Sequence, residues 1–135
     1  MNGINLIAIG VGGALGTLLR FFIHLYTNTL FMGFPLGTII VNLVGSLLLG
    51  ALTGWFLYRS SKEWLKLGLG VGLCGGFTTM STFAADIVML HEHFHANYTL
   101  GYVISSLFGG IALALVGFMI GQKLGLYQKA KKEVG

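Results

Sequence analysis

Charge is what this sequence has least of. Only 9% of its 135 residues are Asp, Glu, Lys or Arg, where a soluble domain carries about a quarter. Its carboxylates are Glu63, Asp86, Glu92 and Glu133, and no two of them read as an acid–base pair in a pocket. No nucleophile elbow and no phosphate-binding Walker loop is present. An enzyme is therefore the least favoured class. A lone cysteine, Cys74, excludes an intrachain disulfide and argues against a cysteine-based metal site. The first apolar run has no basic stretch ahead of it and is too long for the core of a secretory signal, so it is expected as a mature helix.

What the chain does have is apolar length. Hydrophobic residues make up 55%. A bilayer core about 30 Å thick needs roughly 20 apolar residues per helical crossing. The sequence predicts a single all-α transmembrane domain over residues 1–135, with spans at 4–26, 36–58, 65–90 and 98–124 and no room for a soluble domain. A turn holding Pro35, the lone proline, joins the first two spans. A basic tail follows the fourth. The 22 glycines lie inside apolar runs. Several are spaced by four: Gly12/Gly16, Gly50/Gly54, Gly68/Gly72/Gly76 and Gly117/Gly121. That spacing suits close helix association, within one subunit or between two.

Four crossings place both termini and the 59–63 connection on one side. That side carries Arg59, Lys62, Lys66, Lys123, Lys129, Lys131 and Lys132, while the loops at 27–35 and 91–97 carry no Lys or Arg. Basic residues in short loops stay cytoplasmic. Both termini are expected in the cytoplasm of a multi-pass protein of the cell membrane. The net charge of +4 suits anionic lipid headgroups better than nucleic acid.

Polar groups within the spans narrow the function. Asn42 lies in the middle of span 2, where a dry amide needs partners. Arg20 and Asp86 are intramembrane ionisable groups, which often mark an ion path. Arg20 could instead snorkel toward the headgroups. Thr78, Thr79, Ser81 and Thr82 cluster in span 3. Tyr102, Ser105 and Ser106 follow in span 4, where hydroxyls commonly return to their own helix carbonyls. The tract Gly75-Gly76-Phe77-Thr78-Thr79 is a poor helix interior, and it predicts a break at mid-membrane. Broken backbone there survives only when buried in protein or lining a polar cavity. Its carbonyls suit a cation, and its N–H and O–H groups suit an anion. His91, His93 and His95 share one face only if extended. That conformation would make a metal site conceivable, and a solvated loop is the plainer reading.

At these residues the chain resembles the Fluc (CrcB) fluoride channels. The resemblance is carried by Gly12-Gly13-Ala14-Leu15-Gly16 leading to Arg20, by Gly37-Thr38-Ile39-Ile40-Val41-Asn42-Leu43-Val44-Gly45-Ser46, and by Gly72-Leu73-Cys74-Gly75-Gly76-Phe77-Thr78-Thr79-Met80-Ser81-Thr82-Phe83. It covers nearly the whole chain. It implies an antiparallel dimer with two pores that passively exports fluoride and reduces its toxicity. It also implies a central structural Na+ held by the Gly75 and Thr78 carbonyls, with Arg20 in a structural role. The family's pore asparagine matches Asn42, and its two pore phenylalanines match Met80 and Phe83. The acidic residue of its polar track matches Asp86, and the track on span 4 matches Tyr102 and Ser106. Gly110 falls at the next position of that track and offers no hydroxyl. Ser81 and Thr82, beside the break, are placed with the fluoride path.

The chemistry suits a small, strongly hydrated anion. Amide and hydroxyl donors replace its water, and aromatic edges face it without a full charge. Two departures stand out. Met80 has no ring, and the loop charges are one-sided where an antiparallel homodimer wants balance. Both point to a subunit paired with an oppositely oriented homologue. The alternatives are a small four-helix proton-coupled multidrug exporter, which would want a carboxylate in span 1, and a non-conducting partner subunit of a fluoride channel.

Overall fold

The computed structural model describes residues 2–30, 34–59 and 61–134. All regular structure in them is helical. Helix α1 covers Gly3–Leu30 and α2 covers Leu36–Tyr58. The helical part of the expected 27–35 turn belongs to α1, and residues 31–33 lie outside the description. Pro35, at φ −80° and ψ 54°, turns the chain into α2, and the Leu36 N–H donates to the Phe34 carbonyl at 2.8 Å. That is the geometry of an inverse γ-turn, and it suits a residue with a fixed φ.

The third span is composite. A short α3 (Glu63–Lys66) runs into a π-helical stretch, Leu67–Cys74, then α4 (Gly75–Phe77). Helical geometry stops at Thr78 and resumes in α5 (Met80–His93). Helix α6 spans Ala96–Val134, so the basic tail is a continuation of the fourth helix. Four segments are long and apolar enough to cross a bilayer: Gly3–Thr27, Leu36–Tyr58, Glu63–His93 and Ala96–Lys131.

The glycines spaced by four build two seams, both inside the subunit. Gly12 and Gly16 of α1 press against the backbone of Gly68, Leu73 and Gly76 in the third span. Gly50 and Gly54 of α2 press against Ala114, Phe118 and Gln122 of α6, while Gly117 and Gly121 press back on Leu47, Ala51 and Trp55. A Cβ at Gly12, Gly16, Gly50 or Gly117 would overlap a backbone carbonyl. Membrane helices gain no hydrophobic drive from meeting each other, so such close backbone contact is what holds them. The π-helical stretch coincides with the first seam, where Gly68 and Gly72 meet α1. π-helical turns are rare and cluster at functional sites.

Large apolar side chains outside the seams face outward, among them Leu18, Phe22, Ile111 and Leu115. That is the surface of a protein dissolved in lipid. At the basic end, the Arg59 guanidinium lies 4.7 Å from the Trp55 ring centre, and both side chains donate to Gln128 Oε1. A tryptophan with a cation at a helix end suits the membrane–water interface.

Candidate functional site

The break in the third span is built by two threonines. Thr78 (φ −75°, ψ 157°) and Thr79 (φ −145°, ψ 124°) are extended, a conformation that β-branched side chains favour. Thr78 closes the upstream helix: its N–H and its hydroxyl both donate to the Cys74 carbonyl at 3.0 Å. Thr79 opens α5 as its N-cap, its Oγ1 accepting from the Thr82 N–H at 3.2 Å. The same hydroxyl lies 2.9 Å from Thr82 Oγ1 and 3.3 Å from Ser81 Oγ.

Interrupting a helix orphans backbone groups, and two side chains from other helices take them. Asn42 of α2 pairs with Thr79 at both ends: the Thr79 N–H donates to Asn42 Oδ1 at 2.8 Å, and Asn42 Nδ2 donates to the Thr79 carbonyl at 3.0 Å. Arg20 of α1 donates from Nη1 to the Thr78 carbonyl at 3.1 Å. Arg20 is thus turned onto the break and not out to the headgroups. In a continuous helix the Thr79 N–H would close on the Gly75 carbonyl. Here it is directed to Asn42, which releases the Gly75 oxygen from that bond.

A groove of about 270 Å³ opens beside the clamp, lined by Asn42, Gly45, Ser46, Leu49, Thr78, Thr79 and Met80. Met80 is 75% exposed. Farther along α5 lies a second cluster. The Tyr102 hydroxyl donates to Asp86 Oδ2 at 2.8 Å. The Phe83 ring stacks on Tyr102 at 5.3 Å between centroids and 20° between planes, and Phe34 meets Tyr102 edge-on at 6.4 Å. Tyr102 is 2% exposed, and Thr38 is buried. Ser106 is buried one helical turn beyond Tyr102.

The structure therefore joins Asn42, Met80 and the threonines in one groove, and Phe83, Asp86 and Tyr102 in one cluster. Ser81 and Thr82 belong to the hydroxyl knot around Thr79. Sequence reading passed over Thr38 and Ser46 as site residues. Both lie four positions from Asn42, so Thr38, Asn42 and Ser46 form one polar stripe on α2. It also passed over Phe34 and over His24, whose Nε2 is buried without a partner. His24 follows Arg20 by four residues, and that spacing was available to find it.

The carbonyls named for a cation differ in fit. Gly75 is exposed, with open space around it, and its oxygen is a hard ligand. The Thr78 oxygen already accepts from a guanidinium, which leaves one lone pair for a metal. His91 and His93 lie on the last turn of α5 and do not share an extended face. Among the described residues no group of three His, Cys, Asp or Glu side chains converges.

These features define a multi-pass membrane protein whose interrupted third helix gathers amide and hydroxyl donors within the membrane. The chain belongs to the family described as CrcB-like protein, Camphor Resistance (CrcB), whose model matches residues 7–118. It is 56% identical over 125 residues to fluoride-specific ion channel FluC 2 of Halalkalibacterium halodurans, covering 93% of this chain and 91% of that one. It is 44% identical over 124 residues to FluC 2 of Bacillus subtilis, covering 92% of each. Against FluC of Pseudomonas aeruginosa the identity is 36% over 115 residues, covering 84% of this chain and 90% of that one.

Proposed function

We propose that this chain is a subunit of a fluoride-selective channel that lets fluoride leave the cytoplasm passively. The observation that carries this reading is the donor set at the broken third helix. Asn42, Ser46, Thr79 and Met80 line one groove, and no lysine or arginine is among its lining residues. An anion must be held there by neutral N–H and O–H groups, which bind weakly enough to release it. The family and the printed names of its members support fluoride as that anion. A multidrug exporter would want a carboxylate in α1, and α1 has none.

Three finer statements belong to the same reading. The subunit pairs with an oppositely oriented homologue, because its loop charges favour one insertion. Its termini face the cytoplasm, for the same reason. A sodium ion sits where Gly75 carbonyls of two subunits meet, with the remaining Thr78 lone pair as a second ligand. It would supply a fixed cation that holds the two breaks together. Met80, exposed and without a ring, supports a second reading in which one pore of the pair is silent.

Fluoride efflux from liposomes, followed with an ion-selective electrode, tests the function. Efflux of fluoride without chloride is expected. Chloride passing at a similar rate would end the reading.

A further inference from the structure

The Thr78 carbonyl and the Thr79 N–H belong to a single peptide unit, and a planar trans peptide points them in opposite directions. Arg20 holds the oxygen end of that unit, from α1. Asn42 holds the hydrogen end, from α2. Arg20 itself does not line the groove beside Asn42. The carboxylate within the spans, Asp86, is engaged by Tyr102, and among the described residues none forms an ion pair with Arg20. A permanent positive charge is therefore held inside the membrane with a peptide dipole as its partner.

We propose that Arg20 is a positioning residue that sets the donor strength of Asn42 through the Thr78–Thr79 peptide. A guanidinium on the Thr78 oxygen withdraws electrons from the peptide and makes the Thr79 N–H a stronger donor. That N–H donates to Asn42 Oδ1 and in turn polarises the side-chain amide. Nδ2 carries two hydrogens. One goes to the Thr79 carbonyl, and the other is left for an anion in the groove that Asn42 lines. Hydrogen bonds in such chains strengthen one another by roughly 10–30% per bond in condensed phase. A small, hard anion responds most to a stronger donor. The groove thus benefits from a cation that never enters it and so never traps the ion. This inference rests on the fluoride reading.

The test replaces the charge while keeping the bond. Arg20→Gln retains an N–H for the Thr78 carbonyl, and Arg20→Lys retains the charge. In liposomes the Gln variant is expected to need roughly two- to threefold more fluoride for half-maximal flux, since the relay strengthens each bond by only about 10–30%. The Lys variant, which keeps the charge, should match the parent. The Thr79 amide proton should move upfield in the Gln variant and not in the Lys variant. If the Gln variant does not fold, the neutral, isosteric urea of citrulline at position 20 gives the same comparison. Parent-like half-saturation in a folded neutral variant overturns the proposal. So does a loss of flux with an unmoved Thr79 amide signal, because the effect then bypasses the peptide. Absence of fluoride flux in the parent chain, paired with its homologue, would instead count against the channel reading itself.

Discussion

Asn42 pairs with Thr79 as one strand pairs with another, with an N–H to Oδ1 bond of 2.8 Å and an Nδ2 to carbonyl bond of 3.0 Å. A side chain on one helix thereby completes the backbone of another. A neutral amide offers an acceptor and donors together, whereas a carboxylate offers only acceptors when ionised and a hydroxyl is too short to fork across both groups. The pairing explains how an interruption at mid-membrane is tolerated.

Asn42→Leu is expected to abolish fluoride efflux and to lower stability by about 2 kcal/mol, because the Thr79 N–H and carbonyl are then left unmet. Asn42→Asp should also lose efflux, since it keeps the acceptor for the N–H and loses the donor to the carbonyl. Thermal melting in detergent beside liposome efflux checks both. Undiminished efflux from the Leu variant would take Asn42 out of the path.

The Tyr102 hydroxyl and Asp86 are coupled by a 2.8 Å bond. A double-mutant cycle of Tyr102→Phe and Asp86→Asn, read by melting, is expected to give a coupling of about 1.5 kcal/mol, between the usual charged and intramembrane values. The ring stack on Phe83 survives in the Phe variant, so reduced efflux with retained fold would assign the loss to the hydroxyl. Additive effects would mean that the bond contributes nothing.

Gly16 and Gly75 separate packing from openness. A side chain at Gly16 runs into the Leu73 carbonyl, while the space beside Gly75 is open. Gly16→Val should lose about 3 kcal/mol or fail to assemble. Gly75→Ala should change subunit stability by less than about 1 kcal/mol. A large loss in the isolated subunit would contradict the open space beside Gly75.

The break was legible in Gly75-Gly76-Phe77-Thr78-Thr79 because low helix propensity is a local property, and the structure ends the helix at Thr78. The four apolar spans were legible for the same reason. The clamp was not, because it needs α1 and α2 brought to the same peptide, and no local pattern states which backbone group an amide will find. Asn42 was singled out as a dry amide in need of partners and as a pore residue, and Arg20 as an intramembrane charge with a structural role, but neither reading pointed to the Thr78–Thr79 peptide. The stripe Thr38, Asn42, Ser46 shows a spacing of four that could have been read, as could Arg20 and His24. The π-helical Leu67–Cys74 coincides with the seam with α1 and carries no signal in its composition beyond its glycines.

Orientation has its own readout. Cys74 is the lone cysteine and is buried, so a cysteine added near Tyr127 would report against a quiet background. Labelling of intact cells with an impermeant thiol reagent should leave that cysteine unmodified until the membrane is opened. Roughly half of the tails labelled from outside would show that the chain inserts both ways and would remove the case for an oppositely oriented homologue.

The account stands on the donor-lined break as a fluoride path. The most direct measurement is anion efflux from liposomes that hold this chain with its oppositely oriented homologue, recorded for fluoride and chloride in parallel, with the Asn42→Leu chain beside the parent. Fluoride should leave, chloride should stay, and the Leu chain should be silent. Equal passage of both anions, or fluoride efflux unchanged in the Leu chain, would contradict it.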